Sequence, residues 1–445
     1  MSGRIDISYN HPKYEMIIEK LEKLTGIISF GSIIESISGG ATPLRANEEQ
    51  YCDEGIKFLR IQNITSQGFD FNDVKYITEE VHSGLLKRSQ LSNGDLLMTI
   101  TGRIGTCAVV TEDCLPANIN QHIVRIRLKN GFIPEFAATY LNSAIGTILS
   151  NRGVTGTTRV ALDYESIKAI PFPNITDIIV QKEYVKQSDK EINIYKQKIQ
   201  QADELLAGMS NYILETLGVS PLKYDSQLCC QVKMSDIVSD KTFSAEYYHP
   251  ERMAAISNMK DACSSNVRKL IDIVDFCRDI VSCNESTSTY LGLAGVESQT
   301  GELSGVEEDA AGQAFKYEVD DVLYGRLRPY LNKVIRAEEP GVCSTEFHVM
   351  RVKDKTVILP EYLAAIMRSD LILSQTKHMM TGNTHPRISN DDVQNLYVPV
   401  PDIAVQEKIV YELIEHREKA RRLKQEAERE WSAAKAQFEK ELLGE

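Results

Sequence analysis

The sequence predicts an α+β protein: two globular halves, each a small mixed β-sheet with helices, arranged as an internal repeat and joined by two long helices that pair as a coiled coil. Three observations predict it: two Pro-free heptad stretches, a tandem repeat, and short β-branched segments ahead of each stretch.

The first stretch, 181–217, has a single Gly and places apolar or small residues at Val185, Ser188, Ile192, Tyr195, Ile199, Ala202, Leu206, Met209, Ile213 and Thr216. Alternating steps of three and four make a narrow seam, the signature of a helix packed along another helix. The second stretch, 406–443, continues the pattern at Ile409, Leu413, His416, Ala420, Leu423, Ala427, Trp431, Ala434, Phe438 and Leu442, with one four-residue slip near Ala427 that reads as a stutter.

The repeat opens with Tyr9-Asn10-His11-Pro12 answered by Tyr247-Tyr248-His249-Pro250. Gly94-Asp95-Leu96-Leu97 answers Asp320-Asp321-Val322-Leu323, and His122-Ile123-Val124-Arg125-Ile126 answers His348-Val349-Met350-Arg351-Val352, both at an offset of 226. The same offset joins Thr155-Gly156 to Thr381-Gly382, and it becomes 225 for Gln181 against Gln406. Within the first copy, 58–64, 95–101, 108–111 and 123–128 read as strands, and 134–149 as one helix with Pro near its start. A Gly- and Thr-rich loop, 151–159, a Pro-bounded strand, 170–173, and the long helix complete it. Gly218 and Pro221 stop the helix, giving boundaries at 1–178, 179–218, 219–402 and 403–445.

A chain of 445 residues accommodates two cores. Its net charge of −13 argues against a free-standing basic nucleic-acid binder, so a DNA-facing surface is local or a partner supplies positive charge. Nine Cys without paired short spacings point to reduced thiols rather than a zinc site. The absence of a signal-peptide pattern and of any run of 18 apolar residues leads to the expectation of a cytoplasmic protein without a membrane segment.

No catalytic signature is present. There is no GxxxxGK loop, and neither the FxGxG nor the Asn-Pro-Pro-aromatic motif of an amino-methyltransferase. Pro401-Asp402 with Glu407-Lys408 places Glu and Lys side by side at a helix start, which suits the helix dipole and not a metal nuclease. The eight His do not fall at metal-ligand spacings, and His122 and His348 read as equivalent structural histidines bonded to backbone carbonyls. The positive signal lies in the loops: Thr155, Gly156, Thr157, Thr158 and Arg159 in one copy, and Thr381, Gly382, Asn383, Thr384, His385 and Arg387 in the other. Hydroxyls, amides and Arg bond phosphates and base edges, and Gly allows close approach; the bland alternative is a surface turn. Arg103 after Gly102, and Arg326 and Arg328 after Gly325, follow the matched strand in each copy and add anion-facing candidates, as does Arg45.

In the order Ser38-Gly39-Gly40-Ala41-Thr42-Pro43, Phe58-Leu59-Arg60-Ile61-Gln62-Asn63-Ile64, Gly94-Asp95-Leu96-Leu97-Met98-Thr99, Thr-Gly loop, Pro171-Phe172-Pro173 and Gln-led helix, the chain resembles the specificity subunits of Type I restriction-modification systems. The likeness covers nearly the whole chain. It implies two target recognition domains, each reading one part of a bipartite site on double-stranded DNA, and an antiparallel coiled coil that docks two methyltransferase subunits. S-adenosylmethionine would then sit on those partners with no cofactor on this chain, and restriction subunits are left open. The second copy lacks Gly and Pro in its counterpart of the Ser38–Pro43 loop, around Cys277 to Asn284. Two other classes remain open: a stand-alone DNA-binding or anti-phage targeting protein, and a coiled-coil scaffold with two protein-binding heads.

Overall fold

The computed structural model describes residues 12–43, 50–154, 160–220, 231–240, 242–283, 290–306, 308, 310, 312–382 and 385–444. The chain divides into two compact units, Met1–Ile199 with Gln425–Glu445, and Gln200–Lys424. Each unit therefore holds part of both long helices, Ile178–Thr216 and Ile403–Leu442. None of the twenty seam positions is exposed. In the first unit Tyr184 meets Phe438 edge-on at 5.3 Å, Tyr195 donates to Glu428 at 2.7 Å, and Lys198 pairs with Glu430 at 2.8 Å and Glu426 at 3.2 Å. In the second, Asp203 pairs with Lys424 at 3.0 Å and Tyr212 lies edge-on to His416. Numbers rise along one helix as they fall along the other, so the pair is antiparallel in both units. Among the described residues no helix is long and apolar enough to cross a membrane.

Each unit is framed by an antiparallel four-stranded sheet. Its order in the first unit is Ile34–Gly39, Ile123–Leu128, Leu96–Thr99, Cys107–Val109; in the second it is Val274–Cys277, Phe347–Val352, Val322–Gly325, Val334–Arg336. The inner strands are mostly apolar because both faces are covered, with Arg125, Arg127 and Arg351 entering them as ion-pair partners of buried aspartates. Leu96, Met98, Val124 and Ile126 face the helices, whereas Leu97 and Ile123 face a second sheet. Val322, Tyr324, Met350 and Val352 repeat the first set, and Leu323, Phe347 and Val349 the second.

The second sheets differ between the units. Both contain a parallel pair, Ala117–Ile119 with Ile56–Leu59 and Gly341–Ser344 with Tyr290–Leu291. The first unit adds Lys75–Ile77 and then Tyr51–Cys52 beyond Ile56–Leu59. The second adds Gly312–Tyr317 and then Ile280–Cys283 beyond Gly341–Ser344, the opposite flank of the pair. Ile280–Cys283 thus makes a strand where the first copy has its Gly-rich loop. In that loop a Cβ on Gly40 would run into the Ile119 and Asn120 carbonyls, so only glycine passes there.

The expected single helix over 134–149 is two, Pro134–Asn142 and Ala144–Arg152. Ser143 adopts an extended conformation between them, and its hydroxyl caps the second helix by accepting from Gly146 N at 3.0 Å. The expected strand over 58–64 is also shorter, Ile56–Leu59 followed by a 3₁₀ turn at Ile61–Asn63.

The residue that opens each heptad stretch joins helix to globular body. Gln181 accepts from Ile133 N at 2.8 Å and donates to the Gly131 and Ile175 carbonyls, both at 2.9 Å. Gln406 accepts from Leu359 N at 2.9 Å and donates to the Val357 and Pro401 carbonyls, both at 2.8 Å. An amide carries an acceptor and two donor hydrogens on one short stem, as this junction requires. Both side chains are fully buried.

Candidate nucleic-acid interface

Matching backbone bonds at the ends of the frame sheets fix which residues are equivalent. Ile100 N donates to the His122 carbonyl and Leu162 N to the Ile100 carbonyl; Arg326 N donates to the Glu346 carbonyl and Ile388 N to the Arg326 carbonyl. Thr101 bridges Ala161 as Leu327 bridges Arg387. Arg326 therefore takes the place of Ile100, and Glu346 that of His122. The two histidines are not equivalent, contrary to the sequence reading. A two-residue slip keeps the same side chains on the same face, so alternation could not reveal it. Arg103 and Arg326 are not equivalent either, since Arg103 sits three residues further on, exposed in the turn between Thr99 and Thr106.

In the second copy the structure brings Arg326, Arg328, Thr381, Gly382, His385 and Arg387 together. Arg328 N donates to the Pro386 carbonyl at 2.7 Å, and Thr381 and Arg387 exchange backbone hydrogen bonds at 2.9 Å. Arg328, Thr381, Gly382 and His385 are exposed. Gly382 and Arg328 both have positive φ, +99° and +50°; for an arginine that conformation is strained, a feature that concentrates at functional sites. Arg387 grips Glu346 through Nε at 3.0 Å to both carboxylate oxygens and through Nη2 at 2.6 Å, so its guanidinium ties the loop to the sheet.

The first copy presents a polar strip. Thr101 Oγ1 lies 3.0 Å from His122 Nδ1, Gln121 Nε2 lies 3.1 Å from His122 Nε2, and Thr42 bonds Gln121. His122 is thus held by side chains rather than by a backbone carbonyl. The candidates Arg45, Thr155, Gly156, Thr157, Thr158, Arg159, Asn383 and Thr384 lie outside the described residues.

His348 replaces Val124 on the helix-facing side of its sheet and is buried, with Nε2 lacking a hydrogen-bond partner among the described residues. Burial, then the charges of Arg326 and Arg278, pushes its pKa down to about 3, against the opposing effect of the Asn390 side chain and the Ile388 carbonyl. A histidine held neutral in the fold contributes stability that is present above its unfolded pKa, about 6.5. That contribution is lost as pH falls from there toward 3. Urea titrations between pH 7 and pH 4 should show stability declining, and His348→Gln should flatten the decline; an unchanged slope would rule His348 out as its source.

The sequence reading missed one cluster. His249, Glu251 and His378 bring ligand-type atoms within 4.8 Å of one another. His378 Nε2 lies 2.8 Å from Glu251, Lys377 pairs with the same carboxylate at 2.6 Å, and Ser374 donates to it. The two imidazoles stack at 3.4 Å. With a lysine already on the carboxylate, the group serves as an ion-paired tie between the helices Pro250–Cys263 and Asp370–Thr376. His378 lies more than a hundred residues from His249 and Glu251, so no local spacing announces the cluster.

The family description "Type I restriction modification DNA specificity domain" matches residues 26–204 and 306–428, more than half of the chain. Among curated proteins, the chain is 28% identical over 162 residues to the Type I restriction enzyme EcoBI specificity subunit of Escherichia coli, covering 36% of this chain and 33% of that protein. It is 26% identical over 119 residues to the EcoDI specificity subunit of the same organism, covering 26% of each. The match spans a third or less of these curated relatives. Solved structures with similarity include the S subunit of a Type I restriction-modification system from M. genitalium (TM-score 0.40, 12% identity, 94% of this chain and 95% of that one). Another is the HsdS subunit from Thermoanaerobacter tengcongensis (TM-score 0.32, 14% identity, 94% and 95%). By the extent of the family match, the chain belongs to the Type I restriction-modification DNA specificity family.

Proposed function

We propose that the chain is the DNA-recognition subunit of a cytoplasmic Type I restriction-modification complex, itself without catalytic activity. Residues 1–178 and 219–402 form two target recognition domains, each reading one part of a bipartite site on double-stranded DNA. The long helices, 179–218 and 403–445, dock two methyltransferase subunits, which carry the S-adenosylmethionine.

The observation that supports this reading is the double occurrence of one arrangement, a frame sheet whose strand ends carry a polar loop cluster, with exposed Arg103 in one copy and exposed Arg328 and His385 in the other. Such groups bond phosphates and base edges. The charge of −13 supports a partner-dependent mode, because an acidic chain alone approaches DNA poorly. The test is methylation mapping of the assembled complex. Replacing Thr157, Thr158 and Arg159 with Ala is expected to relax one half of the recognised sequence, and replacing Asn383 and Thr384 the other, by roughly 1–3 kcal/mol of discrimination per lost base-edge contact. Arg387 is left intact because its loss would release Glu346 and disorganise the loop. Both sets altering the same half would refute the assignment of one copy to one half.

A further inference from the structure

Behind the exposed loops of the second unit lies a cavity of about 80 Å³ whose polar lining is Arg278, Arg326, His348 and Asn390, with Phe276 and Phe347 among its apolar walls. At about 30 Å³ per water, it has room for two or three waters or one tetrahedral oxyanion. Its charge is one-sided. No carboxylate is among the described lining residues, and neither Arg278 nor Arg326 has an ion-pair partner among the described residues. The nearby Glu346 is committed to Arg387. Two buried polar atoms of this lining, Arg326 Nε and His348 Nε2, have no hydrogen-bond partner among the described residues, and His348 is 5% exposed. Buried polar groups are normally paired, so two unpaired nitrogens on one cavity mark a place where a ligand supplies the partner, an acceptor in the case of Arg326 Nε–H. Arg278 is exposed and connects this lining to solvent.

We propose that this cavity is an oxyanion site that seats one phosphate of the DNA backbone, with Arg326 and Arg278 supplying charge and His348 donating from Nε2 after taking up a proton. The proposal rests on the DNA-recognition reading and assigns it a fixed point: a phosphate held here positions the loop of Thr381, Gly382 and His385 without reading sequence. The titratable and charged groups facing the imidazole are Arg326 from the end of strand Val322–Gly325, Tyr324 from the same strand, whose ring stacks on it at 6.3 Å, and Arg278 and the Cys277 thiol at the end of Val274–Cys277. Burial and, after it, both arginines hold the ring neutral, and an anion in the cavity offsets the arginines' share. Binding is therefore coupled to proton uptake and strengthens once pH falls into the acidic range where the ring titrates in the occupied site.

Two measurements on the full chain test it. In the first, the ¹³Cε1 signal of His348, assigned with His348→Gln, is titrated with acid in inorganic phosphate and in chloride at equal ionic strength. Its apparent pKa is expected to rise by at least one unit in phosphate only, and Arg326→Gln to abolish the rise; no difference between the salts overturns the site. In the second, DNA affinity of the chain assembled with methyltransferase subunits is followed against salt. Arg326→Gln is expected to reduce the slope of log K on log [salt] by about one and to weaken all sequences alike. Arg278→Gln, at an exposed position, provides a second variant with the same expected direction. A phosphate response with an unchanged DNA slope would show a site for free phosphate and overturn the backbone assignment. An assembled complex without specific DNA binding would sink the recognition reading, while the first measurement still decides the oxyanion site.

Discussion

Replacing Gln406 with leucine is expected to destabilise the second unit by roughly 2–4 kcal/mol in urea denaturation. The substitution fills the space but removes three hydrogen bonds, leaving Leu359 N–H and the Val357 and Pro401 carbonyls unmet. A buried group left without its partner costs about 1–3 kcal/mol. Val357 is exposed and Pro401 half-buried, so water recovers part of the loss and sets the upper bound. Gln406→Glu should be at least as damaging, because a carboxylate would face two carbonyls with no hydrogen to offer. Gln181→Leu is expected to produce the same loss in the first unit. A cost below about 0.5 kcal/mol at both positions would mean that the helices are held by their seams alone.

The next largest effect is expected at Arg351. It donates to Asp321 through Nε and Nη2, both at 2.8 Å, and the Asp321 side chain is 1% exposed. Arg351→Met leaves that carboxylate buried without its cation, which costs about 3–5 kcal/mol. The equivalent Asp95 is as deeply buried, but two arginines address it, Arg127 at 2.7 Å and Arg125 at 4.0 Å. Arg127→Met should therefore cost only about half as much, with Arg125 left to hold the charge. Comparing the two variants under one denaturant separates a single-cation site from a shared one. Equal costs would show that Arg125 compensates for nothing.

Much of this architecture was legible because long-period patterns survive in sequence. The seams of both helices and the paired glutamines each reflect a repeated contact, and none of the twenty seam residues is exposed; the 226-residue offset holds for the Leu96 and Val322 strands and becomes 224 at the Ile123 and Phe347 strands. What escaped reading has local or long-range causes. Ser143 stops a helix in a stretch whose apolar spacing continues unbroken, and only the Ser-to-Gly146 cap signals it. The second sheets are built from strands as short as two residues, such as Tyr51–Cys52 and Tyr290–Leu291, too short to carry a period. The candidate site was legible as composition, Gly, Thr and Arg at strand ends. Its inner part was not: the cavity joins Arg278 to His348 through the pairing of Val274–Cys277 with Phe347–Val352, and to Asn390 through the bond from Ile388 N to the Arg326 carbonyl.

The division of the long helices between the units also bears on synthesis. The second unit is one continuous segment, Gln200–Lys424, whereas the first needs Gln425–Glu445. Phe438 and Leu442 belong to the same buried cluster as Phe136, Tyr140 and Phe172, so the part of the chain made first leaves the ribosome with its core open. At ~5–20 residues per second, the segment that closes it emerges on the order of ten seconds or more after the first half is out. Throughout that interval the apolar stripe of the nascent first unit is uncovered, while the second can complete its own fold. Premature termination just before Gln425 would accordingly injure the half of the protein that lies furthest from the break in sequence.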